Sequence, residues 1–236
     1  MSPRSTLRRL FRRATPDLDP ADYWNSRYSA GGTSGAGSYG EDAAWKAATV
    51  NAIVADNAVE SVLEFGCGDG HQLSLLKVPE YVGLDISDEA VRLCRERHRT
   101  DPTKSFRTWT PGAPVHQGPF DLVLALEVLM HIIDDDAFCQ TLDAIFASSR
   151  RLVVIQTPLA PVSEYRQGSH EHHRDLLPYL APHLASFDLT GVVIHPESTA
   201  QDRQRGHIGT MASDFLVFRR REQSDERQAC ARSREN

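Results

Sequence analysis

Two short stretches of this chain, FDLVLAL at residues 120–126 and RLVVIQT at 151–157, are apolar over nearly their whole length. A strand that is hydrophobic on both faces has to be covered on both faces, which is the pattern of a central strand in a parallel sheet. Parallel neighbours need a crossover, and residues 137–148 supply a helix between them. The alternation extends upstream through SVLEF (61–65), a helical HQLSLLK (71–77), YVGLDI (81–86), a helix over 88–98 capped by Ser87, and a strand over 105–110. Downstream come a helix near 175–184 and strands over 187–195 and 214–219. Strand and helix in alternation specify an α/β layered fold with a parallel sheet.

With 236 residues, one elaborated domain is expected, over residues 17–220. Its first part, 17–45, reads as a lid. DYWNSRY at 22–28 carries aromatic residues at helical spacing and runs into the glycine-rich GGTSGAGSYG at 31–40. A helix over 41–57 then places Ala44, Ala47, Ala48, Val50, Ile53 and Val54 on one broad face. Residues 1–16 form a basic tail and 221–236 a polar one, both expected to be disordered.

The 1–16 tail holds five arginines and no acid, and residues 219–236 hold six arginines against four acids. The 202 residues between them carry 15 basic and 28 acidic side chains. Such a body repels phosphate backbones, so nucleic acid is not the expected partner and a small-molecule acceptor is. No apolar run approaches the roughly 18 residues of a membrane span. Leu7, Leu10 and Phe11 among the arginines allow at most a peripheral contact with an anionic membrane surface. Cys67, Cys94, Cys139 and Cys230 are scattered, without a CxxC pair, and no secretory apolar stretch follows the first arginines. A cytoplasmic protein with reduced thiols is expected.

VLEFGCGDG at 62–70 places an acid and three glycines between a strand and a helix. Glycines there let a ligand approach the turn without meeting a β-carbon. The spacing is GxGxG, where a dinucleotide fingerprint would read GxGxxG, and Glu64 beside the turn disfavours a phosphate. Asp85 ends the second strand, 19 residues after Gly66. A carboxylate at that point can accept two hydrogen bonds from a ribose, and Ile86 can pack on an adenine face. An adenosine bearing an amino-acid tail fits this set, which points to S-adenosylmethionine.

These motifs, with GLDIS at 83–87 and FDLVLALEVLMHI at 120–132, resemble those of the class I S-adenosylmethionine-dependent methyltransferases, over residues 23–219. The resemblance implies a Rossmann-like, seven-stranded, mostly parallel sheet with helices on both faces and an antiparallel last strand. It implies that Glu64, Gly66, Cys67, Gly68 and Gly70 line the cofactor's methionine part, with Cys67 contributing its backbone. Asp85 and Ile86 are then expected at the nucleoside, Leu126 and Glu127 at the active-site border, and Trp24 or Arg27 in a lid closing over the cofactor. An acid that many members carry after the third strand, for the adenine amino group, is absent from 109–118; Trp109 is left to pack on the ring.

Methyl transfer mainly needs alignment, and a hydroxyl nucleophile also benefits from a general base. His131, four residues after Glu127, would share a helical face with it. His173, within HEHHRD at 170–175, lies where strand-end loops line the crevice of an open α/β sheet. That segment could hold a base or, with Asp175, a divalent cation gripping two substrate oxygens. No residue is assigned as a metal ligand. His207, before the final strand, is the third candidate. The expected function is methyl transfer to a hydroxyl or amine of a small polar acceptor, such as a sugar or natural-product precursor. Methylation of protein or RNA, a methyltransferase-fold subunit without catalysis, and a nicotinamide-dependent oxidoreductase are the alternatives.

Overall fold

The computed structural model describes residues 18–159, 168–196 and 213–222. Seven strands form one sheet: β1 (Ser61–Phe65), β2 (Glu80–Asp85), β3 (Lys104–Thr108), β4 (Phe120–Leu126), β5 (Ser149–Thr157), β6 (Phe187–Val193) and β7 (Asp214–Arg220). Their order is β3-β2-β1-β4-β5-β7-β6. The β1, β2, β3, β4 and β5 neighbours pair in parallel, while β7 runs antiparallel to both β5 and β6. The expected seven-stranded sheet with one reversed last strand is therefore present.

Five helices accompany the strands among the described residues: α1 (Pro20–Ser29), α2 (Gly40–Asp56), α3 (Asp88–Arg97), α4 (Asp135–Ser148) and the single turn α5 (Leu177–Leu180). Ser87 caps α3 by accepting from the Ala90 N–H, and Asp134 caps α4 through the Ala137 N–H.

All seven residues of β4 are buried, and they divide between two cores. Val123 and Ala125 face one core, with Phe138, Leu142, Ile145 and Phe146 of α4. Leu122, Leu124 and Leu126 face the other, with Val50 and Val54 of α2 and Val91 of α3. The period-2 alternation of a strand thus supplies both layers from one apolar run. Each fully buried leucine or phenylalanine contributes about 1.5–3 kcal/mol, so both cores hold the strand ends firmly in position.

Three expected helices are shorter or absent. HQLSLLK forms only a 3₁₀ turn, Gln72–Leu75, because Pro79 bars the helical conformation just before it and leaves too few residues to propagate one. The segment near 175–184 is broken into α5 and a second short turn, His183–Ala185, with Pro182, which has no N–H to donate, between them. EVLMHI is not a helix either. Glu127 takes a left-handed φ of 54°, and only Leu129–His131 form a 3₁₀ turn. The basic 1–16 tail, most of the 221–236 tail and His207 lie outside the described residues.

Candidate active site

Chain order reverses between β1 and β4, because β2 and β3 lie to one side of β1 and β5 lies beyond β4. Ligands of open α/β sheets bind outside the carboxyl ends of the strands at such a switch point. A cavity of about 710 Å³ opens there, walled by the strand-end residues Phe65, Gly66, Leu84, Asp85, Leu126 and Glu127. Helix α1 and the loop after it close one side through Trp24, Arg27, Tyr28 and Ser34.

The glycine turn is tied to β2 by the Gly66 and Cys67 N–H groups, which donate to the Leu84 carbonyl at 2.7 and 3.0 Å. Gly66 has φ 78°, and a β-carbon there would lie 2.5 Å from Val128 Cγ2. A β-carbon on Gly68, at φ 57°, would run into Ser34 Oγ. The floor of the cavity is bare backbone because side chains do not fit.

Asp85 is buried beside this turn. One carboxylate oxygen accepts from the Gly68 N–H and the other from the Ser87 N–H, both at 2.9 Å. Burial lifts its pKa to about 6, against those hydrogen bonds, which pull it down. Each oxygen keeps a lone pair for a further donor. Ile86, Trp109 and Thr110 continue the wall from Asp85, with the Trp109 indole N–H bonded to the Ala113 carbonyl and its ring edge-on to Phe65.

Glu64 and Cys67 point elsewhere. Glu64 is buried and accepts from the Tyr81 hydroxyl at 2.5 Å; burial lifts its pKa to about 7, against Tyr81 and the Lys46 charge. Cys67 packs behind the turn, its Sγ 3.9 Å from Cys94 Sγ. Neither residue is in the cavity wall, and Gly70 is not either, since it backs onto Cys94 and His98. The structure thus places Gly66, Gly68, Asp85 and Ile86 together and sets Glu64, Cys67 and Gly70 behind them.

The lid is bonded to the turn. Ser34 Oγ accepts from the Asp69 N–H at 2.9 Å and contacts the Tyr28 hydroxyl at 3.2 Å, while Tyr39 donates to Asp69 at 2.6 Å. Asn25 Oδ1 accepts from Ser87 Oγ and the Glu89 N–H, docking α1 on the start of α3. Arg27 spends its Nε on the Thr33 carbonyl, at 2.7 Å, and its guanidinium lies 5.5 Å from the Trp24 ring centre. Trp24 meets the His131 ring edge-on at 5.1 Å.

Glu127 and His131 both line the cavity but do not share a helical face, because the turn that joins them is not α-helical. Glu127 accepts from Lys46 Nζ at 2.5 Å and from Ser213 Oγ at 2.9 Å. His131 Nδ1 lies 3.2 Å from the His170 carbonyl, which can only accept, so Nδ1 carries the proton and Nε2 keeps its lone pair. Burial pushes the His131 pKa down to about 4, so the ring is neutral near pH 7.

HEHHRD is stapled along residues 130–135. The His172 N–H donates to the Met130 carbonyl at 2.7 Å. The Arg174 guanidinium, over the Phe138 ring, bonds the Ile132 and Ile133 carbonyls and Asp135. These bonds occupy carbonyls the short turn leaves open, and they bring His170 and Glu171 into the cavity wall beside His131. His173, the residue expected from this segment, is half-buried outside the wall with Nε2 3.4 Å from Glu171. Asp175 turns its carboxylate to the Leu177 N–H, away from the histidines.

Sequence reasoning missed Ser34, Asp69 and Lys46. Lys46 was detectable: with Ala43, Ala47, Val50 and Val54 it lies on the buried stripe of α2, and a lysine in an apolar stripe calls for a buried anionic partner.

The family model described as "Methyltransferase domain" matches residues 40–195. No curated protein matches the sequence. Among solved structures, magnesium protoporphyrin IX methyltransferase from Synechocystis PCC 6803 with bound SAM is similar at 20% identity and a TM-score of 0.60, over 88% of this chain and 100% of that one. The N-methyltransferase NodS from Bradyrhizobium japonicum WM9, in complex with S-adenosylhomocysteine, is similar at 16% identity and 0.58, over 76% and 86%. The glycine turn, the buried acid after β2, the reversed last strand and the match over two thirds of the length agree, and the chain belongs to the class I S-adenosylmethionine-dependent methyltransferase family.

Proposed function

We propose that this enzyme methylates a hydroxyl or amine of a small polar acceptor, a sugar or natural-product precursor being the class that suits the cavity. The observation that carries the reading is Asp85. Its carboxylate is fixed by two backbone N–H groups, retains a lone pair on each oxygen, and sits beside a turn whose bare backbone admits a ligand that no side chain could displace. This donor-poor, acceptor-bearing corner fits S-adenosylmethionine: Asp85 would accept the ribose hydroxyls, Ile86 and Trp109 would flank the adenine, and Gly66 and Gly68 would carry the methionine part. The similar structures from Synechocystis and Bradyrhizobium were solved with this cofactor and its demethylated product, which supports the assignment.

When bound, the cofactor supplies a methyl group already activated by a positively charged sulfur. The chain's own residues then have to bind, orient and exclude water. Trp24 and Tyr28 cover the site from α1, bonded down through Asn25, Ser34 and Asp69. We infer that α1 and the loop after it are the lid, and that its closure leaves space for a small acceptor. Across the cavity the His131 Nε2 lone pair is available to an acceptor O–H or N–H, and the neighbouring wall residues Met130, Ile132 and Ile133 are apolar. The acidic character of the body continues to favour such an acceptor over RNA.

Calorimetric titration with S-adenosylhomocysteine, followed by transfer of labelled methyl from S-adenosylmethionine to a panel of sugars, amines and phenols, tests the reading. Micromolar binding and labelled product from at least one small hydroxyl or amine acceptor are expected. Folded protein that binds NADH but not S-adenosylhomocysteine would overturn it, as would label found only on protein or RNA.

A further inference from the structure

We propose that His131, His170 and Glu171 form a binding site for a divalent transition-metal cation in the cavity wall, with open positions for an oxygen of the acceptor. The cation site stands on side-chain geometry alone; its purpose rests on the methyl-transfer reading.

One donor atom from each of the three residues lies within 4.8 Å of the other two. Donors sharing a tetrahedral cation with bonds of about 2.1 Å stand about 3.4 Å apart, so small side-chain rotations close the set. His131 is already in the tautomer a ligand needs. Its Nδ1 proton is on the His170 carbonyl, and that backbone bond orients the ring and leaves Nε2 as the donor. His170 is held between two rings, Tyr23 at 4.8 Å and 20° and His131 at 5.4 Å and 7°. Its imidazole therefore has little rotational freedom to lose on binding.

Glu171 completes the set with a carboxylate whose ion-pair partners among the described residues are the two histidines His170 and His173. No lysine or arginine neutralises it there. The other acids and cations nearby are committed elsewhere: Glu127 to Lys46, Asp135 to Arg174, and Arg27 to Thr33. The Arg174 staple that brings His170 and Glu171 to His131 also gives the three donors a rigid support.

Two imidazoles and one carboxylate suit zinc, cobalt, manganese or iron, whereas magnesium and calcium prefer sets made of oxygen. Three protein ligands leave positions for water or substrate. An acceptor hydroxyl bound there becomes more acidic and gives its proton to solvent, while the cation fixes the oxygen beside the cofactor pocket. On this account His131 is a ligand that positions the nucleophile, and the favoured acceptor is a hydroxyl compound with a second oxygen within reach of the same cation.

Tag-free full-length protein, stripped with a chelator, should be titrated with Co²⁺ and followed by its visible absorption, with and without S-adenosylhomocysteine. One equivalent should bind with ligand-field bands and be displaced by Zn²⁺. His170→Ala and Glu171→Gln should each weaken Co²⁺ by at least about tenfold, since even outer-shell changes cost that much. His116→Ala, on an exposed loop, should not. Glu171→Gln keeps size and shape, so it remains informative if His170→Ala unfolds. Absence of Co²⁺ binding, or affinity unmoved by Glu171→Gln, overturns the cation site even if S-adenosylhomocysteine binds. Co²⁺ binding without S-adenosylhomocysteine binding would keep the site and remove the proposed function.

Discussion

Lys46 Nζ lies 2.5 Å from the carboxylate of Glu127, and only 1% of the lysine side chain is exposed. The pair joins α2 to the end of β4 at the one non-glycine residue in the cavity wall with a left-handed backbone. Strain of this kind persists where the surroundings over-determine it, and here Lys46, Ser213 and the Gln156 carbonyl all hold Glu127. Removing one member of a buried pair strands the other charge, at a cost of about 3–5 kcal/mol. Lys46→Met should lower unfolding stability by that order, and adding Glu127→Gln should restore most of the loss. Urea denaturation of the four proteins of this double-mutant cycle measures it; additive effects would show that the two side chains do not interact.

Asp85 is expected to make cofactor binding depend on pH. Its carboxylate is the form that accepts hydroxyl donors, and burial sets its pKa near 6 in the free protein. Ligand binding stabilises the carboxylate, so a proton must leave whenever binding occurs below that value. Affinity for S-adenosylhomocysteine should therefore be flat above pH 7 and fall as pH drops through about 6, by up to tenfold per unit. Glu64, with a pKa of about 7, titrates close by. Asp85→Asn separates the two: it should weaken binding at neutral pH by about 1–3 kcal/mol and flatten the profile below 6. A mutant that keeps the acid limb would assign it to Glu64.

The strand ends and the glycine turn were legible in the sequence because their signals are local. SVLEF and FDLVLAL match β1 and β4 to the residue, and a GxGxG turn followed by Asp85 carries its chemistry in its spacing. The acceptor side was not legible to the same degree. His131 was found for the wrong reason, since the helix expected to carry it gives way to the turn after Glu127. In HEHHRD the segment was identified but His173 was chosen over His170 and Glu171. That choice depends on how the segment lies against residues 130–135, which Arg174 settles through contacts 39 or more positions away in the chain. A loop's long-range hydrogen bonds leave no periodicity to read.

Asn25 tests the lid. Its side-chain oxygen accepts from both Ser87 Oγ and the Glu89 N–H, so one residue of α1 also meets the hydroxyl that caps α3. Asn25→Ala removes both bonds while leaving the two hydrophobic cores untouched. Global stability should fall by about 1 kcal/mol or less, since the exposed donors are recovered by water. The lid should open more often, which predicts faster limited proteolysis within residues 18–39 and a weaker S-adenosylhomocysteine complex, with added ligand slowing the cleavage again. Unchanged proteolysis and affinity would mean that α1 stays docked through its aromatic contacts alone.

Gly66 and Gly31 share nearly the same backbone, at φ 78° and 81°, but not the same surroundings. A β-carbon on Gly31 meets nothing within 4 Å, whereas one on Gly66 would lie 2.5 Å from Val128 Cγ2. Replacing each by alanine therefore separates the cost of a left-handed backbone from the cost of filling the turn. Gly31→Ala should lose about 1–2 kcal/mol of stability and bind S-adenosylhomocysteine almost normally. Gly66→Ala bears the same backbone cost and must also push Val128 aside, moving a residue of the cavity wall, so its cofactor affinity should fall at least about tenfold beyond the Gly31 variant. Calorimetry on the two proteins decides the matter. Equal losses would mean that glycine at 66 serves the backbone alone, and a loss confined to Gly66→Ala would mean that the bare turn is there for the ligand.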